Sequence, residues 1–286
     1  MEINIAKGIG FCYGVKRALQ LAKQSANNGG ASCLGAIIHN EKVIEELEKE
    51  GIHTIRSIEE LKTEKVIVRT HGLPPDVLKD IEKRGKIIID GTCPFVKRAQ
   101  NLAKSLKEEG YEVIIIGDPS HPEIIGIQGY INNKGKIVLK EEEAISLPYR
   151  KKRGVISQTT QDLELFKRLV SLIAEKTYEL KVFNTICSYT VNRQREAEEL
   201  ARKVDLMLII GSRKSSNTTK LFEISKRILP SSYQVESSKD LNPEMFFGVK
   251  KVGIITGSST PNSQVDEVVK KILEIDRIIK KEKDND

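Results

Sequence analysis

Short apolar runs bounded by glycine or polar clusters alternate along this chain with longer stretches whose apolar residues recur every three or four positions. The first kind reads as buried strands, the second as amphipathic helices. A strand is expected at 2–6 and a helix at 15–26, stopped by Asn27-Asn28-Gly29-Gly30. A strand at 32–38 delivers His39-Asn40, and helix 41–50 stops at Gly51. Strands at 52–55 and 66–68 follow, the latter ending in Arg69-Thr70-His71-Gly72. Helix 74–84 then leads to strand 86–89 and through Asp90-Gly91-Thr92 to Cys93. The middle third is similar. Helix 95–109 and strand 111–116 precede a polar loop with His121-Pro122-Glu123. A strand at 137–139 and another from Gly154 follow, the second ending in Ser157-Gln158-Thr159-Thr160. Helix 162–176 and strand 180–183 then lead to Thr185-Ile186-Cys187. In the last third, helix 190–203 and strand 206–210 precede the loop 211–217, and strand 252–255 precedes the loop 256–261. A final helix begins near Ser263 and is expected to fray beyond Ile279.

The three thirds are one pattern repeated. Val15-Lys16-Arg17-Ala18 follows Cys12 as Val96-Lys97-Arg98-Ala99 follows Cys93, and Val191-Asn192-Arg193 follows Cys187 more loosely. The next polar loop lies 27 residues after Cys12 (His39), 28 after Cys93 (His121) and 28 after Cys187 (Ser215). A second strand-end loop follows in each third, at His71, Thr159 and Ser259. A further strand then leads to the next cysteine, except in the last third, where strand 2–6 can supply it. The expected fold is α/β: three βα domains with small parallel sheets in a pseudo-threefold trefoil around a central cavity, the N-terminal strand closing the third domain. The expected domains are 14–93, 94–187 and 188–280 plus 1–13, with 281–286 as a charged tail. Parallel sheets of this kind bind ligands at the carboxyl ends of their strands.

Composition narrows the function classes. With 39% hydrophobic and 30% charged residues the chain has an ordinary globular composition. No apolar run is long enough to span a bilayer, so no membrane role is expected. The first residues lack a signal-peptide core or transit character, which points to a cytoplasmic protein. Four cysteines without local pairing argue against structural disulfides. The formal charge of +7 suits an anionic ligand, but the basic residues are dispersed and Trp is absent, so nucleic acid is not an expected partner. Gly8-x-Gly10-x-x-x-Gly14 has the wrong spacing for a dinucleotide fingerprint.

Cys93 stands where a strand hands over to a helix opened by Pro94, a place where free N–H groups and the helix dipole favour a thiolate. Three such thiols, one per domain, suit a metal cluster. Zinc sites usually use local Cys or His pairs, and none occurs here. A [4Fe–4S] cluster takes thiolate ligands, and three protein cysteines would leave one iron open for substrate. Cys33, inside an apolar strand, reads as a core residue. His39, His71 and His121 sit in equivalent loops and read as imidazolium donors around an anion such as phosphate; His53 lies outside them. Ser215, Ser216, Asn217, Ser258 and Ser259 are their third-domain counterparts, although each alone could be a turn former. Glu123 is the best-placed general acid.

The matching segments are 10–15, Ile38-His39-Asn40, Arg69-Thr70-His71-Gly72, 90–94, His121-Pro122-Glu123, 157–160, Thr185-Ile186-Cys187, Ser215-Ser216-Asn217 and 257–261. Through them the chain resembles the 4-hydroxy-3-methylbut-2-enyl diphosphate reductase (IspH/LytB) family of the methylerythritol phosphate, or non-mevalonate, isoprenoid pathway. The resemblance implies reductive dehydroxylation of that allylic diphosphate to isopentenyl and dimethylallyl diphosphates, with electrons from a ferredoxin or flavodoxin. It implies a [4Fe–4S] cluster on Cys12, Cys93 and Cys187. It implies substrate binding by His39, His71, His121, Thr159, Ser215, Ser216, Asn217 and Ser259, and a catalytic role for Glu123, Thr159 and His121. Three rivals remain at this stage: a [4Fe–4S] hydro-lyase acting on a small anionic substrate, a cluster-bearing regulator or RNA-binding protein, and a thiol-nucleophile enzyme using Cys12 or Cys93 with a histidine.

Overall fold

The computed structural model describes residues 1–26 and 29–285. Strand β1 (Glu2–Ile5) is followed by helix α1 (Tyr13–Ala26). The first sheet region contains β2 (Ala31–Leu34), α2 (Glu41–Lys49), β3 (Ile52–Ile55), β4 (Lys65–Val68), α3 (Pro75–Lys83) and β5 (Ile87–Asp90). The second contains α4 (Pro94–Glu108), β6 (Glu112–Ile116), α5 (Pro122–Tyr130), β7 (Lys136–Val138), α6 (Glu141–Ile145), β8 (Arg150–Ser157), α7 (Leu163–Ala174) and β9 (Thr177–Val182). The third contains α8 (Ser188–Ala201), β10 (Leu206–Ile210), α9 (Ser216–Ile228), β11 (Ser232–Val235), β12 (Lys251–Thr256) and α10 (Asn262–Asn285).

These strands form three parallel sheets, ordered β3-β2-β4-β5, β7-β6-β8-β9 and β11-β10-β12-β1. The order is the same each time: second strand, first, third, fourth. In the last sheet the fourth place is taken by β1, which pairs parallel to β12 from Glu2↔Lys251 to Ile5↔Ile254. The N-terminal strand thus fills the gap left by the missing strand of the repeat.

The chain forms two compact units. Tyr13–Cys187 holds β2–β9. Its cores gather Val66, Val68, Leu73 and Ile81 around the first sheet, and Ala99, Ala103, Leu106, Ile115, Ile124 and Ile156 around the second. Met1–Cys12 with Ser188–Asp286 holds the remaining sheet. There β10 is buried on both faces, as a central parallel strand should be. Leu206, Leu208 and Ile210 pack toward α10, while Met207 and Ile209 pack toward α8 and α9. Among the described residues no helix is long and apolar enough to cross a membrane.

Three elements differ from the sequence reading. The strand expected at 32–38 ends at Leu34, because Gly35 turns away at φ +75 and a Cβ there would lie 2.4 Å from the Arg69 guanidinium. His39 therefore arrives on a loop rather than at the strand's last residue. Strand β8 begins at Arg150, earlier than expected, within a run of basic residues. Arg153 is fully buried there, donating from Nε to Glu112 at 2.8 Å and from Nη1 to the Lys176 carbonyl at 2.8 Å, so a charged residue sits in a strand interior. The charged tail expected beyond Ile279 continues α10 to Asn285. Asn27 and Asn28 of the expected stop signal, and Asp286 of the tail, lie outside the described residues.

Candidate functional site

Each of the three predicted cysteines stands at a strand-to-helix handover. Cys93 is the N-cap of α4, Cys12 directly precedes α1, and Cys187 directly precedes α8. Each backbone N–H donates to a carbonyl in the loop after a neighbouring strand: Cys93 to Thr70 at 2.9 Å, Cys187 to Thr159 at 2.9 Å, and Cys12 to Ser258 at 3.2 Å. The sequence repeat is thus a repeat of hydrogen bonding. Two arginines fix the segments before the cysteines. Arg17 donates to the carbonyls of Asp90 and Thr92, both at 3.2 Å, and Arg193 to those of Gly10 at 2.6 Å and Thr256 at 3.0 Å.

All three cysteines are half-buried and free of disulfides. Cys33 instead lies in the interior of β2, where burial pushes its thiol pKa up to about 12. A half-buried thiol at the start of a helix is a soft donor favoured as thiolate, and each of the three, taken by itself, suits ligation of an iron–sulfur cluster. Gly14 adds to the fit, because a Cβ there would lie 2.6 Å from Cys93 Sγ. Gly14→Ala is therefore expected to push the Cys93 thiol aside and lower the iron bound per chain at least about two-fold, the overpacking itself costing about 1–3 kcal/mol. Iron assay beside a thermal melt checks this; unchanged iron would mean that the glycine does not serve the thiol.

His39, His71 and His121 come together in Tyr13–Cys187. Their ring centroids are 5.2 Å (His39–His71), 5.2 Å (His71–His121) and 6.5 Å (His39–His121) apart. Thr70 Oγ1 donates to the Ile37 carbonyl at 3.1 Å and so ties the loop carrying His71 to the loop carrying His39. His121 caps α5, its Nδ1 accepting the Glu123 N–H at 3.2 Å, and Pro122 suits the first helical position.

Two of the rings, His71 and His121, are not the imidazolium donors expected from sequence. Burial, then the neighbouring His39, lowers the His121 pKa to about 4, with Asp118 partly opposing. His71 is partly exposed as a residue, but its Nδ1 is buried without a partner. Burial, then His121, His39 and Arg69, holds its pKa well below the usual histidine value. At neutral pH these two rings are uncharged, and each offers one N–H and one lone pair.

One ligand atom from each ring lies within 4.8 Å of the others, a spacing that could also hold a metal ion. The tautomer opposes that use. A metal-binding histidine normally donates its second ring N–H outward, whereas His121 Nδ1 accepts one, which leaves the proton on Nε2. The trio is better suited to donating toward an anion.

Glu123 follows on the first turn of α5 and is 1% exposed. Its Oε1 accepts the Thr159 N–H at 2.6 Å and its Oε2 the Thr159 hydroxyl at 2.6 Å. Burial raises the carboxyl to about 7, against the pull of both hydrogen bonds from Thr159. Such a group carries a proton near neutral pH and has a hydroxyl to pass it to. Thr159 also accepts from Cys187 N–H, so the acid, the hydroxyl and a cysteine are joined through one residue.

The other unit carries the remaining predicted residues. Ser215 caps α9, and Ser216 and Asn217 open it. Asn217 is buried, yet neither its Oδ1 nor its Nδ2 has a partner in the protein. Ser259 is buried in the loop after β12. A buried amide with both ends unmet, on the first turn of a helix, is suited to an oxyanion ligand.

The sequence model of the LytB protein family matches residues 3–273. The chain belongs to the LytB family. A relative from Geobacter metallireducens, named 4-hydroxy-3-methylbut-2-enyl diphosphate reductase, is 43% identical over 96% of this chain and 98% of its own. One of the same name from Aquifex aeolicus is 41% identical over 96% of this chain and 97% of its own. A solved structure of (E)-4-hydroxy-3-methyl-but-2-enyl diphosphate reductase, the terminal enzyme of the non-mevalonate pathway, is 41% identical. It superposes with a TM-score of 0.70 over 96% of this chain and 100% of its own. The E-1-hydroxy-2-methyl-but-2-enyl-4-diphosphate reductase of Plasmodium falciparum is 27% identical, with a TM-score of 0.89 over 94% of this chain and 87% of its own.

Several residues of this LytB-family chain escaped the sequence reading. Gln100 on α4 is 2% exposed with its Nε2 unpartnered, lying against Gly72, where a Cβ would come within 2.5 Å of it. Thr218 Oγ1 is likewise unmet and packs against Gly257. Arg69 lies inside a motif that drew attention only for its histidine.

Proposed function

We propose that this chain is a 4-hydroxy-3-methylbut-2-enyl diphosphate reductase, an oxidoreductase that removes the allylic hydroxyl of its substrate as water and gives isopentenyl and dimethylallyl diphosphates. The observation that carries this reading is the buried Glu123–Thr159 pair, joined to Cys187 and in one compact unit with three histidines. The histidines donate N–H groups to the diphosphate, and Ser215, Ser216, Asn217 and Ser259 supply the remaining donors. Thr159 Oγ1 binds the substrate hydroxyl. Glu123, its carboxyl raised to about 7, passes its proton through Thr159 to that oxygen as the C–O bond breaks.

Cys12, Cys93 and Cys187 would hold a [4Fe–4S] cluster with one open iron, which would relay to the substrate, one at a time, the two electrons that C–O cleavage needs. The allyl fragment takes that pair and a second proton at either end, which accounts for two products. His121, beside Glu123, holds the diphosphate near the acid. Electrons come from a ferredoxin or flavodoxin.

Turnover of anaerobically purified protein tests the reading. With a reduced flavodoxin, both product diphosphates should form, and none should form without reductant. Conversion of the substrate without consumption of electrons would favour a hydro-lyase instead.

A further inference from the structure

We propose that Arg69 is the fixed cation of the anion site formed by His39, His71 and His121: its guanidinium, held between the loops that carry His39 and His71, meets the diphosphate charge. The inference rests on the diphosphate reading of that site and adds to it a residue outside the predicted set.

Arg69 is the first residue after β4, two before His71. Its side chain crosses to the loop that carries His39, where Gly35 makes room for it. A Cβ at Gly35 would lie 2.4 Å from Nη1 and 3.1 Å from Cζ. The Thr70–Ile37 hydrogen bond fastens the same two loops, so the guanidinium is held between them. Among the described residues no carboxylate forms an ion pair with Arg69, and its buried Nε has no acceptor. Among the described residues the ionisable groups that feel it include the Cys33 thiol, His71 and His121. The thiol stays protonated, so it gives Arg69 no countercharge.

Arg69 is half-buried; a cation partly withdrawn from water without a countercharge is costly, and an anion completing the site reduces that cost. A purely structural arginine would spend its donors on carbonyls, as Arg17 and Arg193 do. Arg69 makes no such bond among the described residues. Diphosphate brings two or three negative charges, which the His71 and His121 rings meet as donors without charge. A planar guanidinium matches phosphate oxygens well. The placement keeps the site attractive to anions although His71 and His121 are neutral: the charge is carried by a guanidinium, whose pKa burial lowers from its ordinary high value.

Inorganic pyrophosphate is the probe, titrated into the anaerobically purified full chain labelled with 15N-arginine. The Arg69 Nε–H resonance, identified by its absence in Arg69→Lys, should shift as pyrophosphate binds. Arg69→Met should weaken pyrophosphate binding by about ten-fold or more, and Arg69→Lys should recover most of it, the charge rather than the fork being the larger share. Added salt should weaken binding to the native chain more steeply than to Arg69→Met. Two results would each overturn the inference: a resonance that stays still while pyrophosphate binds, or an Arg69→Met affinity within about two-fold of native with the same salt dependence. The resonance on the native chain decides the matter alone if Arg69→Met does not fold. Absence of any pyrophosphate binding to the native chain would overturn the diphosphate reading and this inference with it.

Discussion

Glu123→Gln is expected to lower kcat by about 10²–10⁴-fold, the usual contribution of a positioned general acid. Substrate KM should change little, because the amide keeps the size of the carboxyl and its Oε1 can still accept the Thr159 N–H. A loss in kcat and kcat/KM together marks an interaction made in the transition state. The pH dependence supplies the sign. Burial lifts the Glu123 carboxyl from 4.5 to about 7, so the acid form that donates the proton is depleted as pH rises through 7. Native activity should fall on that alkaline limb, and Glu123→Gln should lack it. Steady-state rates from pH 5.5 to 8.5 decide the point. A variant with native kcat would remove Glu123 from the chemistry.

The same shifts act on stability with opposite signs. Glu123 binds its proton more tightly folded than unfolded, so its contribution is fully present below about 4.5 and is lost as pH rises to about 7. His121 binds its proton less tightly folded, so its contribution is present above 6.5 and is lost as pH falls to about 4. Across the shared window the two partly cancel. Stability is therefore a poor reporter of this site, and the rate profile a good one.

The second large effect belongs to the cysteines. Cys93→Ser and Cys187→Ser should each cost most of the bound iron and essentially all turnover, because a serine hydroxyl is a far harder and less acidic ligand than a thiol. Cys33→Ser is the internal control. It buries a hydroxyl in β2 and should cost about 1–3 kcal/mol of stability while keeping the iron. Iron and sulfide assays with denaturant melts separate the two kinds of loss. Retained turnover in Cys187→Ser would favour a thiol nucleophile and contradict the cluster.

Much of the fold was legible because the chain repeats itself. A cysteine followed by a helix, a strand and a polar loop at near-constant spacing fixed the equivalence of the thirds. The one absent strand then pointed to β1, which indeed pairs with β12. Glu123 and Thr159 were each legible from their strand-end motifs, but not their contact, since the hydrogen bonds span 36 positions of sequence.

What escaped depends on burial. No local pattern shows that a histidine in a polar loop will be packed among two others and lose its charge. Arg153 drew no notice in the sequence, yet it is the interior partner of Glu112. The early end of β2 follows from Gly35, a glycine whose reason is the Arg69 side chain arriving from another strand. Arg69 and Gln100 are ordinary polar residues until their neighbours in space are known.

The most direct test of the central claim is iron and acid-labile sulfide content, with a visible spectrum, on protein purified without oxygen. The account predicts about four iron and four sulfide per chain, the content of a [4Fe–4S] centre, in a spectrum bleached by dithionite and altered by the hydroxymethylbutenyl diphosphate. Zinc alone, or a colourless thiol protein after anaerobic reconstitution, would contradict it.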